Sequence, residues 1–115
     1  MKLLIAGSRS IARFDLKDHV PQEVSLIISG GAKGIDAVAE EYADRHRISK
    51  LILHPRYDLY GRSAPLTRNE MMVELADAVL VIWDGESRGA EFTIRYAEKR
   101  GKKIEVVTVP SVKDP

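Results

Sequence analysis

Four short segments of the 115-residue sequence carry the residue types that do chemistry. The first is GSRS, residues 7–10. Gly7 lets the backbone approach a ligand, Ser8 and Ser10 offer hydroxyls, and Arg9 offers a planar two-point contact to phosphate or carboxylate. The second is SGGAKGID, which holds Gly30, Gly31, Ala32, Lys33, Gly34 and Asp36. Glycines between a strand and a helix permit a sharp turn, and a helix start presents unpaired N–H groups and a positive dipole end to an anion. Lys33 adds charge there, and Asp36 either caps the helix or accepts a ribose hydroxyl. The same residues also suit a plain strand-to-helix corner. Their spacing fits neither the Walker loop nor the dinucleotide fingerprint G-x-G-x-x-G, and both general readings stay open.

The third segment, residues 54–69, is too long for a simple connector and has the length of a lid. Its Tyr57 and Tyr60 either stack on a base or pack on the surface, and Arg62, Arg68 and Asn69 are its polar candidates. The fourth is WDGESRG, where Asp84 and Gly85 suit a turn and Ser87 to Gly89 lead into a helix. It reads either as a second phosphate cradle or as an ordinary capping loop. A carboxylate for catalysis would have to come from Glu91 or Asp84. The three histidines lack a metal-ligand spacing, no serine-histidine-acid set is legible, and no metal or cofactor is expected.

Positioning these segments requires strands that end beside one another. Apolar runs at residues 2–6, 24–29, 50–54, 78–83 and 103–109 predict five strands, most of them continuous rather than alternating, as strands covered on both faces are. The last alternates more and is placed at an edge. Apolar stripes predict helices at residues 33–47, 67–76 and 90–100, with a weaker one at 15–20 stopping before Pro21. Thr67-Arg68-Asn69-Glu70 reads as a capping box, and an arginine in that first turn would oppose the dipole, a conflict of the kind found at functional positions. Gly101 reads as a left-handed helix end. Strands alternating with helices predict an α/β fold: a small doubly wound, mainly parallel five-stranded sheet with helices on both faces, forming a single domain over residues 1–115. Ligands bind such sheets outside the carboxyl ends of the strands, where all four segments lie.

Composition narrows the partners. Eighteen basic residues against seventeen acidic ones leave a net charge of +1, a balance that does not favour extended nucleic-acid binding. There is no cysteine, hence no disulfide or thiolate chemistry. No apolar run approaches a membrane span, and a cytoplasmic protein is expected. Phe92 and Tyr96, apolar residues beyond what one core needs, point to a homo-oligomer.

Taken together, the order GSRS, SGGAKGID, GRSAPLTRNEMM, ADAVLVIWDG, SRG resembles the SLOG superfamily, which takes in the Lonely-Guy cytokinin-activating enzymes and DNA-processing protein A. It is most similar to the YspA-like branch, a domain of unknown function, and the likeness spans nearly the whole chain. The resemblance implies a Rossmann-like fold binding a nucleotide or a nucleotide-derived small molecule, with Gly30, Gly31 and Gly34 in the glycine motif. It also matches Arg68 to the catalytic arginine of the Lonely-Guy R-K-x-x-M motif, with Asn69 in place of the lysine. The second Lonely-Guy motif, P-G-G-x-G-T-x-x-E, is kept only in part: Ala90 replaces its threonine, and its glutamate falls at Thr93. Glu91 lies two residues away, roughly 200° around a helix. A sensor or binding module is therefore expected, with a phosphoribohydrolase-like N-glycosidase as the alternative.

Overall fold

The computed structural model describes residues 1–110; the end of the chain, including most of the PSVKDP segment, lies outside the described residues. Five strands, β1 (Lys2–Gly7), β2 (Leu26–Ser29), β3 (Ser49–Ile52), β4 (Ala78–Trp83) and β5 (Lys103–Thr108), form one sheet. Every pairing is parallel and the order is β3-β2-β1-β4-β5. The expected α/β fold, small, doubly wound and Rossmann-like, is the observed one. The strand order reverses between β1 and β4, so their carboxyl ends open a crevice that no crossover covers.

Strand alternation divides the core in two. Leu3 and Ile5 of β1 join Ile27, Leu80 and Ile82 against Ile35, Ala39 and Ala43 of α1 (Ile35–Arg45). Leu4 and Ala6 join Ile28, Val79 and Val81 on the opposite face, against Met72 and Val73 of α3 (Ala64–Leu75) and Ala90 and Ala97 of α4 (Arg88–Lys99). Because both faces are covered, consecutive residues of β1 are buried, which is why the strand reads as an unbroken apolar run. The expected edge strand β5 is indeed at one edge, and β3 is at the other. No helix of the described residues is long and apolar enough to cross a membrane.

Three helical expectations are corrected. Residues 15–20 form turns, not a helix: the Asp15 carboxylate accepts the Lys17 amide at 3.0 Å, and a side chain bonded to nearby backbone competes with helix formation. Ile11, Leu16 and Val24 of this irregular crossover still cover the sheet. The segment after β3 is not all loop, since residues Tyr57–Tyr60 make one turn of helix, α2, followed by a 3-10 turn at Gly61–Ser63. Finally, α3 begins at Ala64 with Pro65 in its first turn, so Thr67 is inside the helix and no capping box forms. Arg68 consequently sits in the second turn, and the supposed conflict with the dipole disappears. The end of α4 is as expected: Gly101 (φ 68°) donates to Glu98 and Lys102 donates to Ala97, the paired bonds of a Schellman cap.

The β1 and β2 loops interlock at Gly34. Its φ is 77°, and a Cβ there would collide with the Ser8 carbonyl oxygen and the Arg9 backbone. Gly34→Ala is therefore expected to lower stability by about 2–4 kcal/mol, combining left-handed strain with overpacking. A urea denaturation midpoint measures it; an unchanged midpoint would contradict the close approach.

Candidate functional site

Each strand end contributes differently to the rim. After β1, Ser8 is wholly buried. Its amide donates to the Ile82 carbonyl at 3.0 Å, its hydroxyl accepts the Asp84 amide at 3.0 Å, and its carbonyl accepts the Ile11 and Ile35 amides, both at 3.3 Å. This serine joins β1, α1 and the β4 loop and faces no ligand space. Arg9 and Ser10 follow it, exposed, on the rim.

The glycine loop after β2 is built inward. The Gly31 amide donates to Ser29 Oγ at 3.5 Å, the Ala32 amide to Asp36 Oδ2 at 3.1 Å, and the Ile35 amide to Ser8. These amides are thus taken by the protein itself. A Cβ at Gly30 would stand 2.7 Å from Arg68 Nη1 and 2.9 Å from Asp36 Oδ2, so only glycine lets the chain pass between those two side chains.

Arg68 reaches this point from the buried side of α3. Its Nη1 donates to the carbonyls of Gly30 at 2.6 Å and Leu53 at 3.0 Å, and its Nε donates to Asn69 Oδ1 at 2.9 Å. Burial pushes the guanidinium below its ordinary pKa, with the charge of Asp36 opposing that shift. Asp36 is itself buried, and burial raises its carboxyl above the usual range against the lowering influence of the Ala32 amide and Arg68.

Asp84, after β4, is the opposite case. Its Oδ2 accepts the Ser10 hydroxyl at 2.7 Å, while its Oδ1 accepts the amides of Glu86 and Ser87 at 2.8 Å each. Led by the Ser10 hydroxyl, these donors hold its pKa at about 2. Gly85 (φ 83°) closes the turn. Ser87 then caps α4, its Oγ accepting the Ala90 amide at 3.5 Å, and its carbonyl is pinned by the Trp83 indole at 3.0 Å. Helix geometry leaves the Arg88 and Gly89 amides without intrahelical acceptors.

These parts enclose a cleft of about 420 Å³ over β1 and β4, within the usual range for small-molecule sites. Of the expected residues, Gly7, Arg9, Ala32, Asp36, Arg68, Asn69, Asp84, Ser87 and Gly89 line it. The structure does not bring the others to its wall. Ser8, Gly30 and Gly34 support it from behind, Gly31 turns toward His54, Gly85 shapes its turn, and Lys33 and Arg62 are exposed elsewhere. Glu91 is also outside the lining, half-exposed and paired with Arg95 at 2.7 Å. The wall at the place the resemblance reserves for a glutamate is Thr93, buried, with its hydroxyl donating to the Gly89 carbonyl at 3.1 Å. Ser10 and the apolar residues Ala6, Pro65, Leu66, Met72 and Ala90 complete the lining. The apolar ones give no polar signal in sequence, because helix-core and cleft-facing residues follow the same periodicity. Among the described residues, no group of three or more histidine, aspartate or glutamate side chains is arranged to hold a metal ion.

No protein-family model matches the chain, and neither a curated protein nor a solved structure matches it.

Arg68→Ala leaves two carbonyls without their donor and is expected to cost about 2–4 kcal/mol in stability. Asp36→Asn removes a charge that burial disfavours yet keeps an acceptor for Ala32, so it should be at least as stable as wild type at pH 7. Denaturation midpoints of the two variants check both statements. For Asp84 the folded pKa lies below the unfolded value, so its contribution is complete above about pH 4 and is lost as pH falls toward 2. Asp84→Asn should flatten the acid limb of the stability profile over that window.

Proposed function

We propose that the cleft binds a nucleotide or a nucleotide-derived small molecule and that the protein acts as a binding module, in keeping with its resemblance to the SLOG superfamily. The carrying observation is the meeting, at the reversal of strand order, of Arg9, Arg68 and the start of α4 around one 420 Å³ cleft. The anionic end of the ligand belongs at α4, where Gly89 lines the cleft and first-turn amides have no intrahelical acceptor, rather than at the Gly31 and Ala32 amides, which the protein itself occupies. Arg9, exposed in the lining of the same cleft, supplies the neutralising charge. Asp36 is placed to accept a ligand hydroxyl such as that of a ribose. Two arginines in the lining are balanced by two aspartates, which favours a single phosphate over a polyphosphate and weighs against a nucleic-acid strand. A cytoplasmic location fits such a ligand.

Hydrolysis of an N-glycosidic bond is the second reading, and Asp36 is the observation that favours it. It is a cleft-lining carboxylate with a raised pKa, whereas Asp84 is tied to its donors and Glu91 lies outside the lining. An oxocarbenium-like state needs a carboxylate at the sugar. Release of free base from nucleoside monophosphates, followed by chromatography and abolished by Asp36→Asn, would move this reading to first place.

Thermal denaturation with a panel of nucleoside monophosphates tests binding. A ligand at a hundred times its Kd should stabilise the protein by about 2.7 kcal/mol. Arg9→Ala should weaken that ligand about tenfold or more, since hydrogen bonds to charged groups are worth roughly 1.5–3 kcal/mol. Failure of every member of the panel to raise the midpoint would refute the proposal.

A further inference from the structure

The segment after β3 and the facing side of α3 leave three large apolar side chains in water around one concavity. Leu59 is 62% exposed, Tyr60 43% and Met71 46%, and all three line a second cleft of about 300 Å³. Single exposed apolar residues are common, but several converging on a concave surface mark a binding surface. Its polar lining groups include His54, Arg68 and Arg56, whose guanidinium is paired with Asp58 outside the lining, and no carboxylate lines it. Arg68 also lines the cleft over β1 and β4, so one buried side chain borders both. Its hydrogen bonds to the Gly30 and Leu53 carbonyls hold that shared wall in place.

We infer that this second cleft is a subsite for a flat, weakly polar ring, the base of a ligand whose phosphate and sugar occupy the first cleft; the inference rests on the function proposed above. The two clefts divide the chemistry as a nucleotide does. One offers Arg9, serine hydroxyls, aspartates and a helix start, and the other brings the Tyr60 and His54 rings together with Leu53, Leu59 and Met71, beside Arg56 and Arg68. The Arg68 guanidinium borders both, and a planar guanidinium is a group on which a ring stacks. Without a carboxylate to pair with exocyclic amines, the subsite recognises the presence of a ring more than its identity.

Calorimetry with adenosine 5′-monophosphate and ribose 5-phosphate tests this on wild type, a Leu59→Ala/Tyr60→Ala double variant and Arg9→Ala. Wild type should bind the adenosine nucleotide at least about tenfold more tightly than ribose 5-phosphate, the scale of one base stacked on protein. The double variant should lose about tenfold for the nucleotide and stay within about twofold for ribose 5-phosphate, whereas Arg9→Ala should weaken both. Equal wild-type affinities, or a double variant that weakens both probes alike or neither, overturn the ring subsite and leave the first cleft standing. No wild-type binding of either probe, or an Arg9→Ala variant that binds like wild type, overturns the proposed function and this inference with it. Sedimentation adds a further outcome. A wild-type dimer split by the double variant, with the preference for the nucleotide retained, assigns the apolar surface to a second copy and overturns the subsite. If the double variant fails to fold, Leu59→Ala alone takes its place with the same criterion, and equal wild-type affinities overturn the subsite in any case.

Discussion

The rim of the sheet depends on a buried guanidinium. A charged group is costly to remove from water unless its donors are satisfied, and Arg68 offsets much of that cost by giving Nη1 to two main-chain carbonyls and Nε to its neighbour Asn69, with Nη2 left without an acceptor among the described residues. The two carbonyls belong to the residues just past β2 and β3, where a parallel ladder runs out of partners. The arginine continues, by side chain, the pairing that the backbone ends. Gly30 must lack a side chain for the contact to form, and Asp36, on the other side of that glycine, supplies the opposing charge. The helix, two strand ends and the glycine loop are joined at one point, and the floor of the cleft inherits its shape from that junction.

Around the junction, one residue type serves two purposes. Asp84 lies among donors and is held strongly acidic, so it acts as a fixed anion organising the turn into α4. Asp36 is largely buried at the edge of the cleft, and its charge is disfavoured. The difference is one of surroundings alone. It bears on how the glycine loop and the α4 start differ as anion sites: Asp36 and Ser8 take the Ala32 and Ile35 amides of the first, while the Arg88 and Gly89 amides of the second have no intrahelical acceptor.

Much of the fold was legible because burial on two faces writes itself into composition. The strand β4 is apolar at every position, and the stripe of Ile35, Ala39 and Ala43 recurs at helical spacing. The failures are local competitions that periodicity does not register. Asp15 bonds the Lys17 amide and forestalls a helix; Pro65 sets the start of α3 and makes Thr67 an interior residue rather than a cap. Glu91 and Thr93 differ by two positions in sequence, yet one pairs with Arg95 at the surface and the other lines the cleft.

By itself the sequence determined the alternation of strands and helices, the parallel sheet that follows from it, and the gathering of glycine, serine, arginine and aspartate at the carboxyl ends, because each is encoded in spacing along the chain. Tertiary structure alone decided which polar groups are consumed within the protein and which face open space. That choice rests on distances between residues far apart in sequence, such as Arg68 to Gly30 and Ser10 to Asp84. A hydrogen-bond donor has no assigned partner until the chain has closed around it.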